Sequence, residues 1–355
     1  MHTKQIHNSV KYLTAILLLL ALAVSILLSI SFGNADISVG DAYRVLVCQF
    51  FHPESLAEFS SGAIHDVVWL IRFPRSLLAA SIGLGLSVCG VVMQAVVKNP
   101  LADPYVLGVS SGAYLGAASA VILGIGSSFL GGSAMGVMAF AGAFLASCAV
   151  LCISRIGGRS NAGKLILAGM AISAVCSAFA NFLIYVAQDK EATSQISYWS
   201  MGSLGSADWK NVPWILPVMF FCALVFWTQY RKLNLMLLGD DTAITLGTDL
   251  RRTRLAYMLL SAFMVGIAVN AAGMIGFVGL IIPHAMRMLF GTDHKWLIPL
   301  SALAGAVFLV WADVASRVIL KNAELPIGIL VALIGAPCFI YLMITKSYGF
   351  GGIRT

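Results

Sequence analysis

Charge is scarce in this sequence. Only 10% of its 355 residues are Asp, Glu, Lys or Arg, against roughly 25% in soluble domains, and this shortage excludes an ordinary soluble protein of one or two domains. Hydrophobic residues make up 59% and the mean hydropathy is +0.92. Runs of like charge are missing too. The balance of 22 basic to 15 acidic residues leaves +7, but no five consecutive residues are basic, so the chain lacks the footprint of a nucleic-acid binder. The seven cysteines (48, 89, 148, 152, 176, 222 and 338) are odd in number and lie at unrelated spacings in apolar surroundings. That excludes a disulfide framework and argues against a metal-ligand set. Cys148 and Cys152 stand one helical turn apart, which suits packing on a buried helix better than metal binding. The six histidines show no zinc-binding spacing, and His284 beside Pro283 reads as a hydrogen-bonded structural residue.

What the chain has in quantity is apolar runs. A membrane-crossing helix needs about 20 mostly apolar residues, and ten stretches qualify: 12–32, 76–97, 105–124, 134–153, 165–187, 212–228, 255–271, 274–290, 296–315 and 326–344. The first is too long for the apolar core of a signal peptide and reads as an uncleaved helix. An even number of crossings puts both termini on one side. That side then holds fifteen cations and five acids, net +10, and the other holds seven cations and ten acids, net −3. Basic loops face the cytoplasm, so both termini are expected there. The chain reads as a single membrane domain over 1–355, with outer loops at about 33–75 and 188–211 and its longest cytoplasmic loop at about 231–254.

Small residues recur within the spans, including Gly83, Gly85, Gly90, Gly112, Gly116 and Gly279, and they predict close helix packing in lipid. Helix breakers at membrane depth (Pro100, Pro104, Pro283, Pro337) suit a transporter, because broken helices survive in a bilayer only where protein or a water-filled cavity surrounds them. Two motifs mislead. Gly108-Val109-Ser110-Ser111-Gly112 fits the serine-hydrolase pattern, but no strand precedes it and no base accompanies it. Gly158 to Lys164 nearly forms a phosphate loop, but Leu165 stands where a magnesium-binding Ser or Thr is required. No catalytic residue is expected. If ATP drives the protein, another subunit must supply it.

Several segments, in order, carry a resemblance: Ile71-Arg72-Phe73-Pro74-Arg75; Gln94 and Asn99-Pro100-Leu101-Ala102-Asp103-Pro104; Leu107 to Ala113; Leu246-Gly247; Gly276 to His284; and Ala323-Glu324-Leu325-Pro326-Ile327-Gly328. Together they resemble the permeases of ABC importers for iron-siderophores, haem and cobalamin, the FecCD family. The resemblance implies an all-α membrane protein of about ten transmembrane helices per subunit with the type II importer fold. It further implies a homodimer in a bacterial or archaeal inner membrane, two ATP-binding subunits beneath, a substrate-binding protein above and a metal-chelate substrate. ATP and magnesium would belong to the ATPase, so this chain is expected to bind no cofactor or metal and to be no enzyme, its surroundings being membrane lipid.

The same resemblance assigns residues. Arg72, Arg75 and Arg317 look like the dock for carboxylates of the binding protein, a task suited to the planar guanidinium fork; interfacial snorkelling, or pairing with Asp313 or Glu324, is the alternative. Asn99 and Leu101 look like one part of a cytoplasmic gate, with Ser160 and Asn161 as the second. Gly239, Asp240, Ala243, Leu246 and Gly247 look like part of a coupling segment that fits a groove on the ATPase. The spacing of 243, 246 and 250 is helical, with Asp240 or Asp241 able to cap it. A different class of reading, an ATP-independent secondary transporter or channel, predicts ionisable residues in the middle of spans. The mid-span stretches contain almost none.

Overall fold

The computed structural model describes residues 8–33, 37–127, 133–156, 162–247 and 249–345. Among these, all regular structure is helical. Helix α1 (Asn8–Ser29) leads to α2 (Val39–Phe51), and a helical lead-in over 63–72 runs into α3 (Phe73–Val97). There follow α4 (Val109–Leu123), α5 (Ala134–Ile153), α6 (Ala162–Ala187) and α7 (Lys190–Ser200). Next come α8 (Val212–Thr228), α9 (Tyr230–Leu237), α10 (Asp240–Thr245) and α11 (Leu250–Ala272). Finally α12 (Val278–Phe290), α13 (His294–Val318) and α14 (Ile327–Thr345) close the chain.

All ten predicted apolar stretches are helices, but they are not of equal length. Six helices are long and apolar enough to cross a membrane, and α8 with α9 makes a seventh candidate bent by 58°. The stretches 105–124 and 274–290, expected as full crossings, are shorter: α4 has 15 residues and α12 has 13. At 1.5 Å per residue these reach only about 20 Å, against a hydrocarbon core of about 30 Å. The cause is local. Pro104 opens a 3₁₀ turn and Gly108 takes φ +77°, so α4 starts only at Val109. On the other side Gly273 (φ +67°) ends α11, and Phe277 (φ +65°) delays α12 to Val278.

Helix α3 is the axis of the molecule, buried at nearly every position from Pro74 to Val97. Close approach explains its glycines. A Cβ on Gly83 would land on the Gly305 carbonyl of α13, and one on Gly90 would land on the Gly279 carbonyl of α12. Helix α1, by contrast, lies at the edge and exposes Leu13, Ile16, Leu17, Leu20 and Val24. Polar contacts fasten it: Trp311 Nε1 donates to Ser25 Oγ (2.9 Å), and the Ser29 and Ser76 hydroxyls share a hydrogen bond of 2.6 Å. The lead-in to α3 and helix α2 form a cap over this end of the bundle, cored by Ile30, Ala42, Val45, Leu46 and Val68.

Candidate functional site

Three groups of residues stand out, two at opposite ends of the bundle and one where the helices break. At the end that the charge count assigns to the outside, Arg72, Arg75 and Arg317 lie together, as the sequence predicts. They are nonetheless only 4%, 6% and 4% exposed. Arg75, in the first turn of α3, donates from Nε to Asp313 (2.8 Å) and from Nη1 to both oxygens of Glu324 (3.0 and 2.8 Å). Asp313 also lies 3.1 Å from Arg317 Nε, one turn along α13. The other guanidinium hydrogens go to the end of α1. Arg72 Nη1 donates to the carbonyls of Ile30 (2.9 Å) and Ser31 (3.1 Å), while Arg317 donates to those of Phe32 (3.0 Å) and Ser29 (3.3 Å). The last carbonyls of a helix lack intrahelical donors and carry partial negative charge. Two arginines therefore cap α1 by side chain. Asp313 is 1% exposed and neutralises the pair around it, whereas the Glu324 side chain is 48% exposed at the rim. Pairing with Asp313 and Glu324, the alternative that the sequence left open beside docking, is present here; the sequence gave no sign of the contacts with the end of α1.

The predicted gate loop follows α3. Lys98 takes the left-handed conformation (φ +54°), and Asn99 Oδ1 accepts the Leu101 N–H at 2.9 Å, so the Asn99 side chain shapes its own loop. Further on, Asp103 accepts N–H bonds from Tyr105 (2.8 Å) and from Phe277 in the α11–α12 break. The Tyr105 hydroxyl accepts the Ile275 N–H at 3.4 Å, and Pro104 packs at Gly279. Two stretches of irregular backbone thus satisfy one another where they are buried in protein, the condition under which broken spans are tolerated. Burial pushes the Asp103 carboxyl up to about 6, against the pull of its two backbone donors. Ser160 and Asn161 lie outside the described residues, so this structure places Asn99 and Leu101 alone.

At the same side as the gate loop in the charge count, the long loop folds into α9 and α10. Gly239 (φ +113°) is the N-cap of α10, with no side-chain cap bond, and Asp240 is its first residue. Positions 243, 246 and 250 do not share one face. Ala243 and Leu250 are buried, but Leu246 is exposed, because α10 stops at Thr245 and Gly247 turns the chain with φ +83°. Leu246 joins Leu238 and Ile244 as an exposed apolar group on a segment that has left the spans. Leu238 and Ile244 were not among the residues expected in this segment. Asp249 supplies a side-chain cap at the start of α11, accepting the Arg252 N–H (3.1 Å).

Among the described residues no three His, Cys, Asp or Glu side chains form a group able to hold a metal ion. The described residues place buried cations at one end, an exposed apolar segment at the other and helix breaks between them.

Known proteins are similar to this chain in sequence and in fold. The chain is 41% identical over 281 residues to the hemin transport system permease protein HmuU of Yersinia pestis, covering 79% of this chain and 84% of that one. It is 38% identical over 344 residues to the vitamin B12 import system permease protein BtuC of Salmonella typhi, covering 97% and 98%. A solved structure described as an inward-facing conformation of a metal-chelate type ABC transporter superposes with a TM-score of 0.77 at 29% identity, covering 95% of this chain and all of that one. The sequence profile of the FecCD transport family matches residues 20–345, which contain all three groups of residues described above. The chain therefore belongs to the FecCD transport family.

Proposed function

We propose that this chain is the membrane permease of an ATP-driven importer of iron-siderophore, haem or cobalamin-like metal chelates, passing substrate inward from a binding protein by alternating access. The observation that carries this reading is membership of the FecCD transport family over residues 20–345, together with relatives named for hemin and vitamin B12 transport. The permease works as a homodimer in the inner membrane of a bacterium or archaeon, in contact with lipid and with both termini in the cytoplasm. It binds no cofactor itself; ATP and magnesium are held by two separate ATPase subunits.

In this reading the binding protein docks at the arginine end. Arg75 already holds a carboxylate, that of half-exposed Glu324, so an acid of the partner is accommodated by exchange with Glu324 while Asp313 remains in place. Closure of the ATPase pair moves segment 238–247 through its apolar face, and the loop carrying Asn99 and Leu101, opposed by Ser160 and Asn161, opens to the cytoplasm.

The test is native mass spectrometry of the gently solubilised chain expressed with its genomic neighbours. Two permeases with two ATPases is the expected assembly, and a co-purifying ligand mass identifies the chelate. A permease that transports alone, without a nucleotide-binding partner, moves the assignment to an ATP-independent transporter.

A further inference from the structure

The elbow between α8 and α9 is tied to the first turn of α13 by four polar contacts. Trp227 Nε1, at the end of α8, donates to the Lys295 carbonyl (2.9 Å). Asn234, in the middle of α9, uses both ends of its amide. Its Nδ2 donates to Asp293 Oδ1 (2.8 Å), and its Oδ1 accepts the His294 N–H (2.9 Å) and faces His294 Nδ1 at 2.7 Å. Asp293 simultaneously caps α13 by accepting the Lys295 N–H (3.1 Å). His294 is fully buried, and Leu233 and Met236, flanking Asn234, are fully buried against the core. The connection is graded in burial: the contacts of Asn234 with His294 are partly buried, and those to Asp293 and Lys295 lie at the surface.

Each side of this connection leads to one of the other groups of residues. One residue past α9 begins the segment carrying exposed Leu238, Ile244 and Leu246. Helix α13 is one helix of 25 residues, with Pro299 in its second turn, spans about 37 Å, and carries Asp313 and Arg317, the charged centre of the arginine cluster, near its end. On the way it lies against α3 at Gly83 and Gly305, with no room for sliding apart.

We infer that Asn234 and His294 form the joint through which α13 carries movement of the 238–247 segment to the arginine cluster, so that the two ends of the permease are coupled by a single rod. The inference rests on the reading of that segment as the ATPase contact. Asn234 is a positioning residue here. An amide is required because one side chain must donate to a carboxylate and accept from an N–H at the same time; leucine has the same branched skeleton, is somewhat larger, and does neither.

The experiment uses the permease–ATPase complex in nanodiscs, with ATP hydrolysis measured with and without the binding protein. Asn234→Leu is expected to assemble with the ATPase and keep its basal rate, but to lose binding-protein stimulation about fivefold or more, the range of a coupling between sites. Trp227→Phe, which keeps the ring and removes one bond, is expected to lose part of it. Unchanged stimulation in both variants overturns the inference. Should Asn234→Leu fail to assemble, hydrogen exchange on the wild-type complex decides: vanadate trapping is expected to change protection at 230–238 and 293–297 together, and a change at the first without the second overturns the joint. A wild-type permease that captures no ATPase overturns both this inference and the reading beneath it.

Discussion

Asp313 and Glu324 show how one guanidinium can hold two carboxylates of unequal weight. Asp313 lies buried between Arg75 and Arg317, and removing one partner of a buried ion pair leaves charge with no compensation, a loss of about 3–5 kcal/mol. Glu324 is half exposed, where such a pair contributes about 0–1 kcal/mol. Asp313→Ala should therefore lower the unfolding temperature in detergent far more than Glu324→Gln, and equal losses would contradict the assigned burial. Asp103 supplies a pH-dependent counterpart. Its carboxyl titrates near 6 in the fold against a reference of 3.8, so between these values the folded chain holds a proton that the unfolded chain has released. Its contribution is thus most favourable below about 3.8, declines as pH rises to about 6 and is level above that. Asp103→Asn should flatten stability over this window relative to wild type, which pH-dependent thermal unfolding of the two proteins will reveal. Asp313 was legible as an alternative partner of the arginines, but its burial was not, and Asp103 carried no such signal. Asp313 lies in an apolar run and Asp103 in a loop, and their importance comes from partners that are far away along the chain.

At the level of helices, the apolar runs were legible to within a few residues, because each must hide its backbone in helical hydrogen bonds. Their breaks were not. Gly273-Met274-Ile275-Gly276-Phe277 is as apolar as any span, and hydropathy cannot separate a helix from extended backbone whose N–H groups bond to Tyr105 and Asp103. The glycine pattern was legible as close packing, and the structure identifies which pairs use it. Gly83→Ala and Gly90→Ala force α3 away from α13 and α12, and over-packing of this kind typically destabilises by about 1–3 kcal/mol. Gly276, where an added Cβ meets nothing within 4 Å, provides the comparison. Thermal unfolding of the three variants should show Gly276→Ala near wild type and the other two clearly below it; three equal shifts would mean that the helix contacts are looser than described.

For the whole molecule, sidedness is the property on which the roles of the two ends depend. The residue roles assigned by resemblance share this dependence: the arginine cluster can meet an external binding protein, and segment 238–247 an internal ATPase, only if the bundle sits in the orientation that the charges favour. The count of +10 against −3 assumes ten crossings, but two of them are short helices completed by irregular backbone. If the chain turned back at α4, every later loop would change sides and the balance would reverse to +1 against +6; a turn-back at α12 would leave +7 against 0. The count is therefore an argument that the α4 stretch does cross, and the crossing of α12 is decided by labelling. Labelling tests this directly. In a cysteine-free background, Lys210→Cys, exposed between α7 and α8, should react with a membrane-impermeant maleimide added to intact spheroplasts. Lys232→Cys, exposed on α9, should react only after the membrane is opened. Because α8 alone separates the two positions, the pair reports orientation independently of both short helices. Adding Lys321→Cys, exposed beyond α13, extends the test across α12: labelling on the same side as residue 210 requires an odd number of crossings between 232 and 321, the three of α11, α12 and α13, and labelling on the opposite side would show that the α11–α12 break returns the chain to the face it came from.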